Sequence, residues 1–499
     1  MIQRLKPLIC LLAFICLTTA PTKAACPTGD ILLTTQAQVD SFPILYAGCT
    51  TMPFNLTIQQ PNLIGTIRNL NALRQLTRIQ GNLIINRCRM PNLEGLNNLT
   101  AIGGSLKIDY NPSLLTLSAL QNLRTVGSSI IINLNANITN LVGLDSLKIL
   151  NDTTTISYNN ELINLEGLKN VTKISNLTVI ENPKFTNFLG LNKLDSVGSV
   201  TISGNPVLAN FLGLENLKQI KELKVEANPI LLNFDGLGTL KTIKNSLYVE
   251  ENNTLTNFSG LNALRNVGEL FVVVNPSIVN FDGLQGVTAL YSCYVARNDK
   301  LTNLTGFNNL QSIEAGLVID RNIKLSTISA LKELKKINGY ILISDNAILP
   351  NLVGLENIDP LSLTSLALIR NNLLSFCSVK SVCAYLSNPN NPRNIADNAA
   401  GCNNVTQVSR LCLTPTYEAT DAKHIKVTPS VFSDILTIES TFLPIQSVDI
   451  LDVAGRIVWS KKENTNTIQL ITNQLANGIY FVRIATGESV ETKKVVKQW

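Results

Sequence analysis

One four-residue motif returns thirteen times at nearly constant spacing, and this restricts the chain to an array of stacked units. Leu-x-Gly-Leu, or its Ala variant, places its small residue at Ala72, Gly95, Ala119, Gly143, Gly167, Gly190, Gly213, Gly236, Gly260, Gly283, Gly306, Ala330 and Gly354, and every interval is 23 or 24 residues. A unit that short cannot enclose a core of its own. It must bury its apolar side chains against its neighbours, and the result is a solenoid. Each unit also carries a short alternation such as Leu223-Lys224-Val225, whose period of two puts both apolar residues on one side of a strand. With one parallel strand per unit about 4.8 Å apart, thirteen coils span roughly 55–60 Å. The closing segment, Gly-Leu-x-x-Leu-x-x-Ile, is too short for a long helix and reads as a helical turn or an extended run.

Three residues beyond the second apolar strand position stands Asn228, and the equivalent places hold Asn111, Asn135, Asn159, Asn182, Asn205, Asn252, Asn275, Asn298, Asn322, Asn346 and Asn371. An inward-turned Asn carries two donors and an acceptor, so a stack of them can satisfy backbone groups that a tight turn buries. The expected role of this ladder is structural. Cys88 replaces the ladder residue in the first of these coils, and Cys293 replaces a core Leu. Both read as buried free thiols.

The two ends of the chain differ from the repeat. Arg4 and Lys6, the apolar run Leu8 to Leu17 and the small-residue zone Ala20 to Ala25 have the layout of a secretory signal peptide over 1–24. Six further cysteines flank the array: Cys26 and Cys49 before it, Cys377, Cys383, Cys402 and Cys412 after it. Without histidine or CxxC spacing they point to disulfides in an oxidising compartment rather than to zinc. The pairing among the last four is open. Residues 25–70 are expected to form a stapled cap and first coil, 71–375 the solenoid, and 376–413 a Cys-rich cap with a helix near Ser378 to Leu386. The formal charge of +6 falls to about +3 once the leader is removed, which gives no case for nucleic acid.

Residues 26–413 resemble the receptor L domain branch of the leucine-rich repeats, through the Cys26-Pro27-Thr28-Gly29-Asp30 opening, the Asn-Pro ladder, the Leu-x-Gly-Leu turns and the Cys-rich end. The resemblance implies a mainly β fold and leaves the ligand open. After a linker at 414–423, residues 424–499 alternate in short strands separated by turn signals at Asp452-Val453-Ala454-Gly455-Arg456 and Asn477-Gly478, the pattern of a small antiparallel β-sandwich. This tail is similar to the C-terminal sorting domain of the Bacteroidetes type IX (Por) secretion system. The likeness rests on Pro429 to Ser433, Asp452 with Gly455-Arg456, Leu475-x-x-Gly478-x-Tyr480 and the basic run Lys493-Lys494-Val495-Val496-Lys497. It departs from the family at Pro429-Ser430-Val431-Phe432, where Pro-Asn-Pro-Phe is usual. The resemblance implies the type IX machinery as a partner and delivery to, or release from, the outer surface of a Gram-negative bacterium.

The search for chemistry returns little. The only histidine, His424, lies in the linker or at the edge of the tail. That leaves the solenoid without Ser-His-Asp or Cys-His catalysis or a histidine metal site. Phosphate-binding glycine loops and HExxH are missing. Glu226, Glu250 and Asp320 fall on the strands' outer face, and Glu226 and Glu250 occupy adjacent coils, but a solvated acidic face accounts for them. We expect no catalysis, cofactor, metal or transmembrane span. Ten Asn-x-Ser/Thr sequons, among them Asn98, Asn137, Asn170 and Asn303, follow from an Asn- and Thr-rich repeat. What remains is surface. One outward side chain per coil gives the run Tyr248, Phe271, Tyr294, Val318, Leu342, extended by Val273 and Ala296 and edged by Tyr340. Contiguous aromatics on an exposed sheet suit a sugar ring or a partner's apolar side chains. The expected function is a secreted or surface-held binding or adhesion protein that recognises a protein or glycan, with passive self-association as the alternative.

Overall fold

The computed structural model describes residues 26–61, 67–413, 425–440, 443–453, 455–486 and 490–498. The expected leader, the linker and His424 lie outside them. The chain is mainly β. Short strands stack in parallel, each paired with the strand of the next coil, from Ile31–Leu33 and Leu56–Gln59 through to Ser365–Ile369 and Arg393–Ala396. Ile31–Leu33 and Leu56–Gln59, in the expected cap and first coil, and Arg393–Ala396 join the thirteen repeat strands, so sixteen stacked strands make about fifteen turns. Only Arg393–Ala396 was not expected, because the Cys-rich end lacks the Leu-x-Gly-Leu signature.

The cross-section changes along the stack. In the first coils a separate two-residue strand (Thr51–Met52, Arg78–Ile79, Ala101–Ile102, Thr125–Val126) forms a second small parallel sheet. From Ile149–Ser157 to Ser312–Asp320 the two segments merge into one strand of eight or nine residues per coil. The motif itself hides two turn types. Where it holds Gly the residue takes a positive φ, as at Gly236 (+106°), and an added Cβ would meet the Phe211 carbonyl carbon of the preceding coil at 2.2 Å. Where it holds Ala the chain forms a 3-10 turn instead, at Asn71–Leu73, Ser118–Leu120 and Ser329–Glu333. Ala cannot hold the left-handed backbone without strain, so the substitution selects the turn.

The core is a continuous aliphatic column with a file of phenylalanines through its middle. Phe188, Phe211, Phe234, Phe258, Phe281 and Phe307 stack coil on coil at centroid distances of 5.8, 5.4, 5.5, 5.4 and 4.5 Å. Beside it the asparagines bond across coils. Asn205 donates its backbone N–H to Asn228 Oδ1 at 3.2 Å and its side-chain amide to the carbonyls of Val179 and Ser203 at 3.0 and 3.1 Å. The same bonding extends one coil beyond Asn371, to Asn398. The residue before each ladder position lies in the left-handed region, with φ between 52 and 57° at thirteen non-glycine positions, among them the β-branched Val274.

Disulfides staple both ends: Cys26–Cys49, Cys377–Cys402 and Cys383–Cys412. The first cap adds a helix, Gln36–Leu45, opened by a Thr35/Gln38 capping box; the last adds Lys380–Leu386 and Val405–Leu413. In the tail a three-stranded antiparallel sheet and a five-stranded one enclose a core of their own, including Leu436, Val448, Leu470, Val482 and Ile484. One strand of the larger sheet, Val431–Phe432, pairs in parallel with Val490–Lys497. Among the described residues no helix is long and apolar enough to cross a membrane.

Candidate functional site

Strand register decides which side chains share the outer sheet face. Lys224, Tyr248, Phe271, Tyr294, Val318, Leu342 and Ala367 are direct partners in successive coils, so they form one file along the solenoid. The rings of Tyr248, Phe271 and Tyr294 are half-buried and tilted against one another, at 5.9 and 6.2 Å between centroids. Lys224 closes one end with its ammonium 5.2 Å from the Tyr248 ring, within cation–π range.

The other end differs from the expected one. Val318 lies in the file but is buried (4 % exposed), and Ala296 is buried as well (1 %). Tyr340 leans across the same strand: its ring lies over Gly316, where an added Cβ would fall 2.6 Å from the nearest ring carbon. The exposed aromatic on this side is therefore Tyr340 itself (44 %), with Leu342 half-buried beside it. The patch is thus three half-buried rings, a covered step and a fourth ring, rather than five side chains in an unbroken row.

Polar groups frame it along the strand ends. Tyr248 donates its hydroxyl to the Glu250 carboxylate, and this acceptor pushes the phenol up to about 12. Glu226, the register partner of Glu250, holds Lys224 at 2.8 Å. Asp320 is buried, not on the exposed face as expected. It accepts from Ser344 Oγ at 2.6 Å and pairs with Arg321 at 3.3 Å. This arrangement can stack on a ring or an apolar side chain and offer hydrogen-bonding groups around it. The Tyr248 phenol stays protonated at neutral pH and serves as a donor.

The remaining candidate residues lie away from this face. Cys88 and Cys293 are buried free thiols, each pushed up to about 12 by burial, which removes the thiolate needed for reactivity. The sequon asparagines Asn98, Asn137 and Asn170 donate to the carbonyls of Arg74, Pro112 and Asp145 one coil away, so their amides tie coils together. Among the described residues no cluster of metal-ligating side chains occurs. A cleft of about 600 Å³ sits at the change of cross-section between Thr125–Val126 and Ile149, remote in sequence from the aromatic file.

Comparison with known families adds two matches. Residues 48–115 match the receptor L domain, and residues 426–498 match the secretion system C-terminal sorting domain. The first covers the opening coils and stops well short of the aromatic file. The second marks the chain for export by the type IX system to the cell surface or beyond. No curated protein matches this sequence.

Proposed function

We propose that this chain is a non-catalytic binding protein of the bacterial exterior, which recognises a protein or glycan through the sheet face around Tyr248, Phe271, Tyr294 and Tyr340. The observation that carries this reading is the ring file itself. In a chain with 5 % aromatics, the core rings are fully enclosed, whereas these stand on an outer face with part of their surface open. A receptor L domain match is consistent with a binding scaffold, and the sorting tail delivers such a surface to where ligands are met.

The test is a binding screen of the full chain against glycan arrays and extracellular proteins, with Phe271→Asp beside it. The Phe271 side chain sits on the sheet face rather than in the core column, so the variant retains the wild-type circular dichroism spectrum. A ligand bound by the wild type and lost by the variant supports the site. Retained binding moves the site elsewhere. Concentration-dependent self-association with no ligand favours a structural surface component instead.

A further inference from the structure

A second surface, on the edge where the strands begin, has a different character. The backbone N–H of Lys241 donates to the Lys218 carbonyl at 2.9 Å, and that of Arg265 donates to the Lys241 carbonyl at 2.9 Å. Three cations therefore stand directly above one another in consecutive coils. One step into the strands, Lys221 and Lys244 follow the register partners Ile220 and Ile243, and a bulge there sets Lys244 and Asn245 against Lys221, so two further cations lie beside the first row. All five side chains are exposed. Like charges facing each other on adjacent strands oppose stacking, and at several other places the solenoid sets opposite charges together instead. Lys184 meets Glu161 at 2.6 Å, Lys169 meets Asp145 at 2.9 Å and Arg370 meets Asp345 at 2.7 Å, each across neighbouring coils.

No ion pair among the described residues includes any of the five edge cations. Of the nearby acids, Glu222 accepts from Ser199 Oγ at 3.1 Å, Glu215 accepts from the Gly213 N–H at 2.9 Å and Glu226 holds Lys224, while Asp195 stands one coil before Lys218 and ends the row on that side. Beyond the bulge, Gly268 stands against the Asn245 carbonyl and carries no side chain, and Tyr291, just before the Ser292 partner of Glu269, is 56 % exposed. A ring platform thus follows the cations across a bare step.

We propose that this edge binds a linear acidic polysaccharide, one carboxylate per sugar, laid along the solenoid axis. The charges are arranged in rows rather than converging on a point, so they fit a polymer better than a small anion. The rows are two residues wide, so they fit a chain better than a membrane plane. The step between successive cations is the inter-strand spacing of about 4.8 Å, on the scale of one sugar unit. Tyr291 gives a sugar ring a face to stack on, which a polyphosphate would not use. The site is separate from the aromatic sheet face and does not depend on it.

The experiment measures binding of fluorescent polygalacturonate to the full chain, with dextran of equal length as the neutral control. Lys221→Glu/Lys244→Glu is expected to weaken binding at least tenfold, Lys218→Gln/Lys241→Gln several-fold and Tyr291→Ala several-fold. Phe271→Asp should leave it unchanged. Raising sodium chloride from about 50 to about 500 mM should weaken wild-type binding by a similar factor. Equal binding of dextran, or no loss in the charge-reversed variant, overturns the proposal. Equally tight binding of single-stranded DNA or of phosphatidylglycerol vesicles also overturns it, because that marks undirected charge attraction.

Discussion

Each ladder asparagine serves the coil before it. Asn228 Oδ1 takes the Asn205 backbone N–H, while its amide group covers the carbonyls of Ile202 and Glu226. Cys88 shows what fixes the residue type. Its thiol approaches the carbonyls of Ile58 and Asn86 at 3.6 and 3.4 Å, the places an amide would fill. The acceptor role is vacant there: Gln59 pairs with Asn86, which sets Pro61 one coil before Cys88, and proline has no N–H to satisfy. Asn228→Ala leaves one buried donor and two carbonyls without these partners and should cost about 3 kcal/mol in chemical denaturation. Cys88→Ala removes weak contacts and should cost about 1 kcal/mol. Equal losses in the two variants would refute this division of labour. The ladder was legible because a polar side chain kept at one place in an apolar repeat must find buried partners there. Asn398 escaped because the cap breaks the spacing. Val318 takes the expected place in the file yet is buried, because periodicity says which face a side chain takes and not how far that face is covered.

At the scale of elements, the phenylalanine file is the feature that the repeat concealed. Reading the motif as Leu-x-Gly-Leu treats its first position as one apolar class, yet Phe188, Phe211, Phe234, Phe258 and Phe281 occupy it in five consecutive coils. In that run each ring stacks on the next nearly parallel, with interplanar angles of 4 to 9°. Five rings at one depth let the middle coils match one another in width, and the merged eight- or nine-residue strands span this region. Phe234 is fully buried, and its removal opens a cavity between two rings that cannot close without shifting both coils. Phe234→Ala should cost about 4 kcal/mol. Phe234→Leu keeps most of the volume and should cost about 1.5 kcal/mol. Both are measured by the denaturation midpoint of the solenoid. Similar values for the two would mean that ring stacking rather than volume sets the width.

For the whole molecule, the period alone conveys a parallel solenoid, because no other arrangement buries thirteen equivalent apolar faces, and the flanking cysteines convey its stapled ends. It does not convey that the stack has a seam. Thr125–Val126 is the last member of the small second sheet. Ile149–Ser157 pairs forward with Lys173–Ile180 from Ile149 onward, but backward with Ile130–Asn133 only from Thr154. Between these two edges lies the cleft of about 600 Å³, so two adjacent coils are joined by half of their strand pairing. In a one-dimensional array the weakest interface between neighbours sets where the stack opens. Hydrogen exchange should therefore be roughly tenfold faster at 125–126 and 149–151 than at 219–220 and 242–243, which are paired on both sides. In denaturant below the main transition, the coils before this seam should lose protection separately from those after it. The two halves should then report different free energies, and a single midpoint would describe neither. Uniform protection across the junction, followed by loss in one step, would mean that the side-chain column under the cleft couples the halves as firmly as the paired strands do elsewhere.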